Sequence, residues 1–303
     1  MAARKIKDDG GKEEMKLLCP FFASMRGIIK QKNEVLFLIP LMLFICLFIL
    51  YPLTQVFVRS FQENTPIGKF TFRNYVDALT QARYLNSLKN TMWFAGVSTL
   101  VGAVGGTFVG VLAARMSSKA RSVLLSLYSL PMTLSAMVVA FAFITLLGRR
   151  GVFNIILKKY FGVTFDLYSW EGLIFVYAFY NIPLMTLTMA GIFLNLDKAL
   201  VEAARSLGAK WWQTWIYVII PVLAPGFLAG TSIVFAGMLS AFATVLALTG
   251  MAKPLLSLQI YSHASESYYN LPQASALTVL LILVIVVTLV ILTWVERKLR
   301  PGS

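Results

Sequence analysis

The sequence predicts an all-α integral membrane protein with six transmembrane helices and both termini in the cytoplasm. Three observations carry that prediction. Apolar and aromatic residues make up 58% of the 303 positions, above the roughly 45–50% of soluble domains. Charged residues make up 13%, about half of the usual ~25%. Near-uninterrupted apolar stretches recur at 35–58, 91–114, 123–147, 173–194, 222–248 and 274–295, each 22 to 27 residues long. A helix needs about 20 residues to cross a bilayer core.

Orientation follows from Lys and Arg. An even number of spans puts both termini on one side. That side carries 17 of the 27 cations, in 1–34, 115–121, 195–221 and the segment after 295, and the other side carries 10. The richer side belongs in the cytoplasm. The formal charge of +14 is therefore read as topology, with no nucleic-acid partner implied. The leader MAARKIKDDGGKEEMK has mixed charge and two glycines, and is expected to be poorly ordered. The first apolar run follows about 34 residues of charged leader and has no small-x-small site after it. It reads as a retained anchor in preference to a cleaved secretion signal.

The spans are as informative for what they lack. No Asp, Glu, Lys, Arg or His lies inside any of the six apolar stretches. A proton relay, a voltage sensor or a carboxylate ion site would need one. Two cysteines (Cys19, Cys46) and one histidine (His263) leave no clustered metal ligands, so no metal site is expected. If the chain moves a solute uphill, another subunit supplies the energy. A carrier that coordinates sodium through backbone carbonyls, or a channel, is the rival transport reading; a scaffold without transport is a third.

Polar and small residues within the spans have two readings each. Gly102, Gly106 and Gly110 repeat every four residues in the second span, and Gly226 and Gly230 do so in the fifth. Such a face lets another helix approach closely, within this chain or in a partner subunit. Pro40, Pro52, Pro131, Pro183 and Pro225 kink or end helices. Asn181, Thr186 and Thr188 in the fourth span, and the i, i+4 pair Ser240 and Thr244 in the fifth, could line a polar solute path. They could equally be helix-to-helix hydrogen bonds.

The loop between spans four and five reads LDKALVEAARSLGAKWWQTWIYVIIP, residues 196–221. Asp197 can cap a helix that runs to Leu207, with Leu200, Ala203, Ala204 and Leu207 on one face. Gly208 fits the C-terminal stop. A second helix follows, in which Trp211, Trp212 and Trp215 suit a membrane interface. A short helix, a glycine turn and a helix leading into a span would present a small-residue knob to a partner.

Glu202-Ala203-Ala204, then Gly208, then Val218-x-Ile220-Pro221 resemble the EAA signature of type I ABC importer permeases, whose usual ending is I-x-L-P. FRNYVDAL, the NSLKNT entry to span two, GVFNIILKKYFGV after span three and the six-span plan are similar to the same family, over roughly 70–297. The resemblance implies a type I ABC importer permease fold, with a tail over 1–34 and a first helix and extracytoplasmic segment over 35–85. A five-helix permease core over 86–297, with a coupling loop at 195–221, and a tail over 298–303 complete it. It implies a bacterial-type inner membrane location, a second permease subunit, a cytoplasmic ABC ATPase dimer and an extracytoplasmic solute-binding protein.

In such importers the coupling helix docks in an ATPase groove, and ATP-driven closure swings the pathway from inward- to outward-facing. Glu202 would then fix the loop by polar contacts, Ala203 and Ala204 would enter the groove, and Gly208 would permit the turn, with Leu207 and Pro221 in the same coupling set. ATP and Mg belong to the partner, and no cofactor is expected on this chain. It has no GxxxxGK[ST], so it is not expected to be an enzyme. The segments YNIPLM, SAFATVLALTG and LSLQIYSHASESYYNLPQASAL look most like permeases for polyamines, ferric iron, thiamine and phosphonates. SAFATVLALTG lacks the acidic residue that many polyamine permeases have there.

Overall fold

The computed structural model describes residues 40–65, 68–265 and 269–299. The charged leader, the start of the first apolar stretch and the extreme C-terminus lie outside them. The chain divides into two compact units, residues 1–58 and 59–303. In the first unit, the part of α1 (Pro40–Ser60) up to Val58 contains a widened π turn over Cys46–Leu50, closed by the Tyr51 N–H on the Cys46 carbonyl. Pro52 follows at once, and the cause is local. A proline cannot donate to the carbonyl four residues back and its ring collides with it, so the preceding turn opens.

The second unit begins with an isolated antiparallel bridge, Gln62 to Phe70. Then come α2 (Arg73–Thr80), α3 (Ala82–Arg115), α4 (Ser118–Thr133), α5 (Ala136–Leu147), α6 (Val152–Phe161) and α7 (Trp170–Leu194). They are followed by α8 (Lys198–Ser206), α9 (Trp211–Leu239), α10 (Ala243–Thr249), α11 (Leu256–Ala264) and α12 (Leu271–Leu299). Among the described residues, six helices are long and apolar enough to cross a membrane.

Two of the expected spans are interrupted. The stretch 123–147 is split between α4 and α5, because Leu134 and Ser135 are extended just after Pro131. The stretch 222–248 is split between α9 and α10 by Ser240, Ala241 and Phe242. In place of an unbroken third span, the long apolar element there is Ala136–Phe161, itself bent between α5 and α6. Asn154 ties that bend. Its Nδ2 donates to the carbonyls of Leu147 (2.7 Å), Gly148 (3.0 Å) and Phe165 (2.8 Å), and its Oδ1 accepts from the Phe165 N–H (2.8 Å).

Glycines set the tightest contact. A Cβ added to Gly102, Gly106 or Gly110 would lie 2.5, 2.5 and 2.9 Å from the Cβ of Asn181, Met185 and Met189 respectively. The pairing rises together along both helices, so α3 and α7 run parallel, as the second and fourth spans of an alternating bundle must. Gly226 and Gly230 of α9 meet Ile192 and then Met185 and Thr188. That order falls along α7, so these helices are antiparallel. The main core, around Phe94, Leu173, Val176, Val234, Met238 and Val245, joins α3, α7, α9 and α10.

Candidate functional site

The loop after α7 folds from its own sequence. Asp197 accepts from the Ala199 N–H at 2.9 Å and caps the start of α8. At the other end Gly208 has φ +80°, a left-handed conformation that costs a glycine little. It lets the Gly208 N–H reach the Arg205 carbonyl (2.9 Å) and the Ala209 N–H reach the Ala204 carbonyl (3.1 Å). Those two bonds are the Schellman closure of a helix. Lys210 then starts α9, its N–H donating to Gln213 Oε1 at 2.7 Å. The chain therefore passes from α8 to α9 through two capped ends with only Gly208 and Ala209 between them and Lys210. Each cap fixes the angle at which the next helix leaves.

What α8 presents is unpartnered within the described residues. Glu202, Ala203, Leu200 and Leu207 are exposed, Leu207 at 89%, and Ala204 is half-buried. Glu202 has no ion pair or side-chain hydrogen bond there, so it is left to face outward. Downstream, Pro221 acts as Pro52 does. A π turn over Trp215–Ile219 precedes it, closed by the Ile220 N–H on the Trp215 carbonyl. The start of α9 is pinned to α3 by Arg115, whose guanidinium carbon lies 5.5 Å from the centroid of the Trp215 ring.

The polar span residues separate in this conformation. Asn181 is buried against Gly102 and donates to the Ser98 carbonyl at 3.3 Å. Thr186 is fully buried and donates to the Gly106 carbonyl at 3.2 Å. Both are helix-to-helix bonds across the glycine face. Thr244 is buried beside the Tyr177 hydroxyl. Only Ser240 is exposed; it sits in the break after α9 and donates to the Gly237 carbonyl at 3.0 Å. No group of three or more His, Cys, Asp or Glu that could hold a metal occurs among the described residues.

Several structural contributors gave no sequence signal. Ser257 Oγ donates to the Ala241 carbonyl at 2.6 Å, satisfying the break between α9 and α10. Thr91 Oγ1 accepts from the Leu256 N–H at 2.9 Å. At the start of α3, Arg83 Nε donates to Gln259 Oε1 at 2.7 Å, and the Tyr84 hydroxyl lies 2.8 Å from His263 Nε2. Burial, and secondarily the Arg83 charge, hold the His263 pKa below its ordinary value. GVFNIILKKYFGV marked the segment of Asn154 as a family feature, without showing what Asn154 does.

Comparison with known proteins agrees with this architecture. The Sulfate transport system permease protein CysT of Escherichia coli (strain K12) is 27% identical over 242 residues, 78% of this chain and 82% of its own. The Molybdenum transport system permease protein ModB of the same organism is 33% identical over 137 residues, 45% of this chain and 59% of its own. Among solved structures, a bacterial ABC transporter involved in the import of the acidic polysaccharide alginate superimposes with a TM-score of 0.76. It shares 19% identity and covers 91% of this chain and 99% of its own, a likeness of fold. Residues 106–301 match the family described as Binding-protein-dependent transport system inner membrane component. The chain belongs to that family, as a multi-pass, non-enzymatic permease subunit of an ABC importer in the inner membrane.

Proposed function

We propose that α8 is the docking helix for a cytoplasmic ABC ATPase dimer, and that loop 195–221 and both termini face the cytoplasm. One observation carries this reading. Leu200, Ala203 and Leu207 form an exposed apolar face on a helix capped at both ends, so a rigid knob projects that no described residue of the chain covers. ATP and Mg stay on the partner. When the ATPase pair closes, the knob moves. The Gly208 turn and the Lys210–Gln213 cap pass that movement to α9, and so to the break at Ser240. A second permease half, identical or homologous, completes the pathway, and an extracytoplasmic binding protein delivers the solute.

The solute is a small anion with a tetrahedral oxyanion group, of the sulfate or phosphonate kind. The apolar stretches offer no carboxylate to a polyamine, thiamine or ferric ion. The segments that the sequence assigns to the outer side, 59–90, 148–170 and 249–273, carry ten Lys and Arg against four Asp and Glu, six of the ten cations lying within the long apolar elements Ala82–Arg115 and Ala136–Phe161. A cationic mouth raises the local concentration of anions and their rate of entry. The sulfate permease relative points the same way.

The test is uptake by the complete transporter in proteoliposomes with its binding protein outside and ATP inside. Sulfate or a small phosphonate should enter, while spermidine, thiamine and ferric ion should not; the reverse overturns the solute assignment. Glu202→Lys and Gly208→Pro should each abolish uptake at normal membrane abundance. Normal uptake by both would remove α8 from the coupling role.

A further inference from the structure

Beside the coupling loop, α3 and α9 part to leave a cleft of about 720 Å³. Its walls are Val104, Phe108 and Leu112 on one side and Trp212, Ile216 and Phe227 on the other. A second apolar space of about 270 Å³ adjoins it and shares Thr107, Val111, Trp215 and Phe227. The Thr107 hydroxyl is buried there with no hydrogen-bond partner among the described residues. Phe108, Ile216 and Trp212 are exposed, so the cleft opens sideways from the bundle.

Its chemistry is polarised along its length. Arg115 is the last residue of α3, Trp211 the first of α9, and both line the cleft. Lys210 immediately precedes Trp211, and Lys119 and Arg121 follow Arg115 within six residues. No carboxylate lines the cleft. One end, at Arg115, is therefore cationic and ringed by tryptophans, and apart from the Thr107 hydroxyl the rest is carbon. Indoles settle at the headgroup level of a bilayer, and basic pockets between membrane helices collect anionic headgroups. A water-soluble anion would find no polar wall beyond the mouth.

We infer that this cleft is a binding site for one anionic phospholipid, with its phosphate on Arg115 and an acyl chain lying along the cleft toward Phe227. The lipid would touch Trp215 in the π turn, where α9 leaves the coupling loop. The site requires only that the chain spans a membrane, and it stands whether or not α8 docks an ATPase.

Brominated acyl chains quench tryptophan fluorescence on contact. Three of the six tryptophans line the cleft; replacing Trp93, Trp170 and Trp294 by Phe leaves only these in this chain, and partner subunits with their tryptophans replaced by Phe remove the rest of the signal. The assembled transporter carrying this background, with its melting temperature checked against the parent, is titrated with dibrominated phosphatidylglycerol or dibrominated phosphatidylcholine. Phosphatidylglycerol should reach half-quenching at about fivefold lower mole fraction, the ratio that ~1 kcal/mol per cation beside an anionic lipid gives. Arg115→Gln should erase the difference and Arg115→Lys should keep it. Equal quenching by the two lipids, or a preference that survives Arg115→Gln, overturns the site. So does absence of quenching by either lipid, with a photocross-linker at Phe108 capturing α1 or a second subunit.

Discussion

Ser257 Oγ donates to the carbonyl of Ala241 at 2.6 Å, and so ties the first turn of α11 to the break between α9 and α10. Helical hydrogen bonding lapses at Ser240–Phe242, and because Ala241 is buried its released carbonyl cannot turn to water. The serine supplies the missing donor. Ser257→Ala should therefore lower stability by about 1–3 kcal/mol, the cost of stranding a buried acceptor, while Ser257→Thr should retain most of it. Thermal unfolding of the purified transporter measures this. A melting temperature unchanged in Ser257→Ala would mean that another donor reaches Ala241.

The glycine face gives a sharper test of packing. A Cβ on Gly106 would lie 2.5 Å from Met185 Cβ and 2.7 Å from the Ile182 carbonyl oxygen, and neither neighbour can rotate away. Gly106→Ala, a single methyl, should cost in the range of about 1–3 kcal/mol typical of overpacking and reduce membrane abundance. Gly96 lies on the same helix with nothing within 4 Å of an added Cβ. Gly96→Ala should be neutral or stabilising, because alanine gains about 1 kcal/mol over glycine in a helix. If the two variants behave alike, helix propensity governs and the α3–α7 contact does not.

His263 makes stability depend on pH. It is buried, its Nε2 faces the Tyr84 hydroxyl at 2.8 Å, and its pKa is held below the ordinary 6.5 by burial and by Arg83. The unfolded chain therefore binds a proton that the folded chain refuses. Stability is full above pH 6.5 and falls as pH drops below it, until the folded-state pKa is reached. The melting temperature should decline between about pH 7 and 5.5, with the onset set by the unfolded histidine. His263→Gln should flatten that decline. A decline of equal size in the variant would assign it to the carboxylates.

The loop from Asp197 to Pro221 was the most legible part of the chain because its determinants are local. Asp197 and Gly208 each act on the backbone within four residues, so their spacing alone marks where α8 begins and ends. The glycine repeat was legible for a similar reason, although only the structure names Asn181, Met185 and Met189 as its partners. The breaks at Leu134–Ser135 and Ser240–Phe242 were hidden. Hydropathy averages over about twenty residues, and a two- or three-residue lapse in hydrogen bonding leaves that average untouched. Asn154 and Ser257 were hidden for a different reason. Each works through carbonyls that lie 6 to 16 positions away, and no periodicity encodes such a reach.

The break itself is where a solute path can be sought. Ser240 is exposed and, among the described residues, its hydroxyl donates to carbonyls of its own helix, Gly237 and Ala236. Asn181, by contrast, is buried against Gly102. With Cys19 and Cys46 replaced, Ser240→Cys should react with a small hydrophilic thiol reagent, and its rate should change when the ATPase is trapped with ATP. Asn181→Cys should stay unreactive in every nucleotide state. Ser240→Ala should lower uptake only modestly, since one neutral hydrogen bond is worth about 0.5–1.5 kcal/mol and this one braces the end of α9. If Ser240→Cys never reacts, the exposed face of the break meets lipid or the second permease half. If Asn181→Cys reacts in one nucleotide state, the α3–α7 contact opens during transport, and the glycine face becomes a moving part of the pathway.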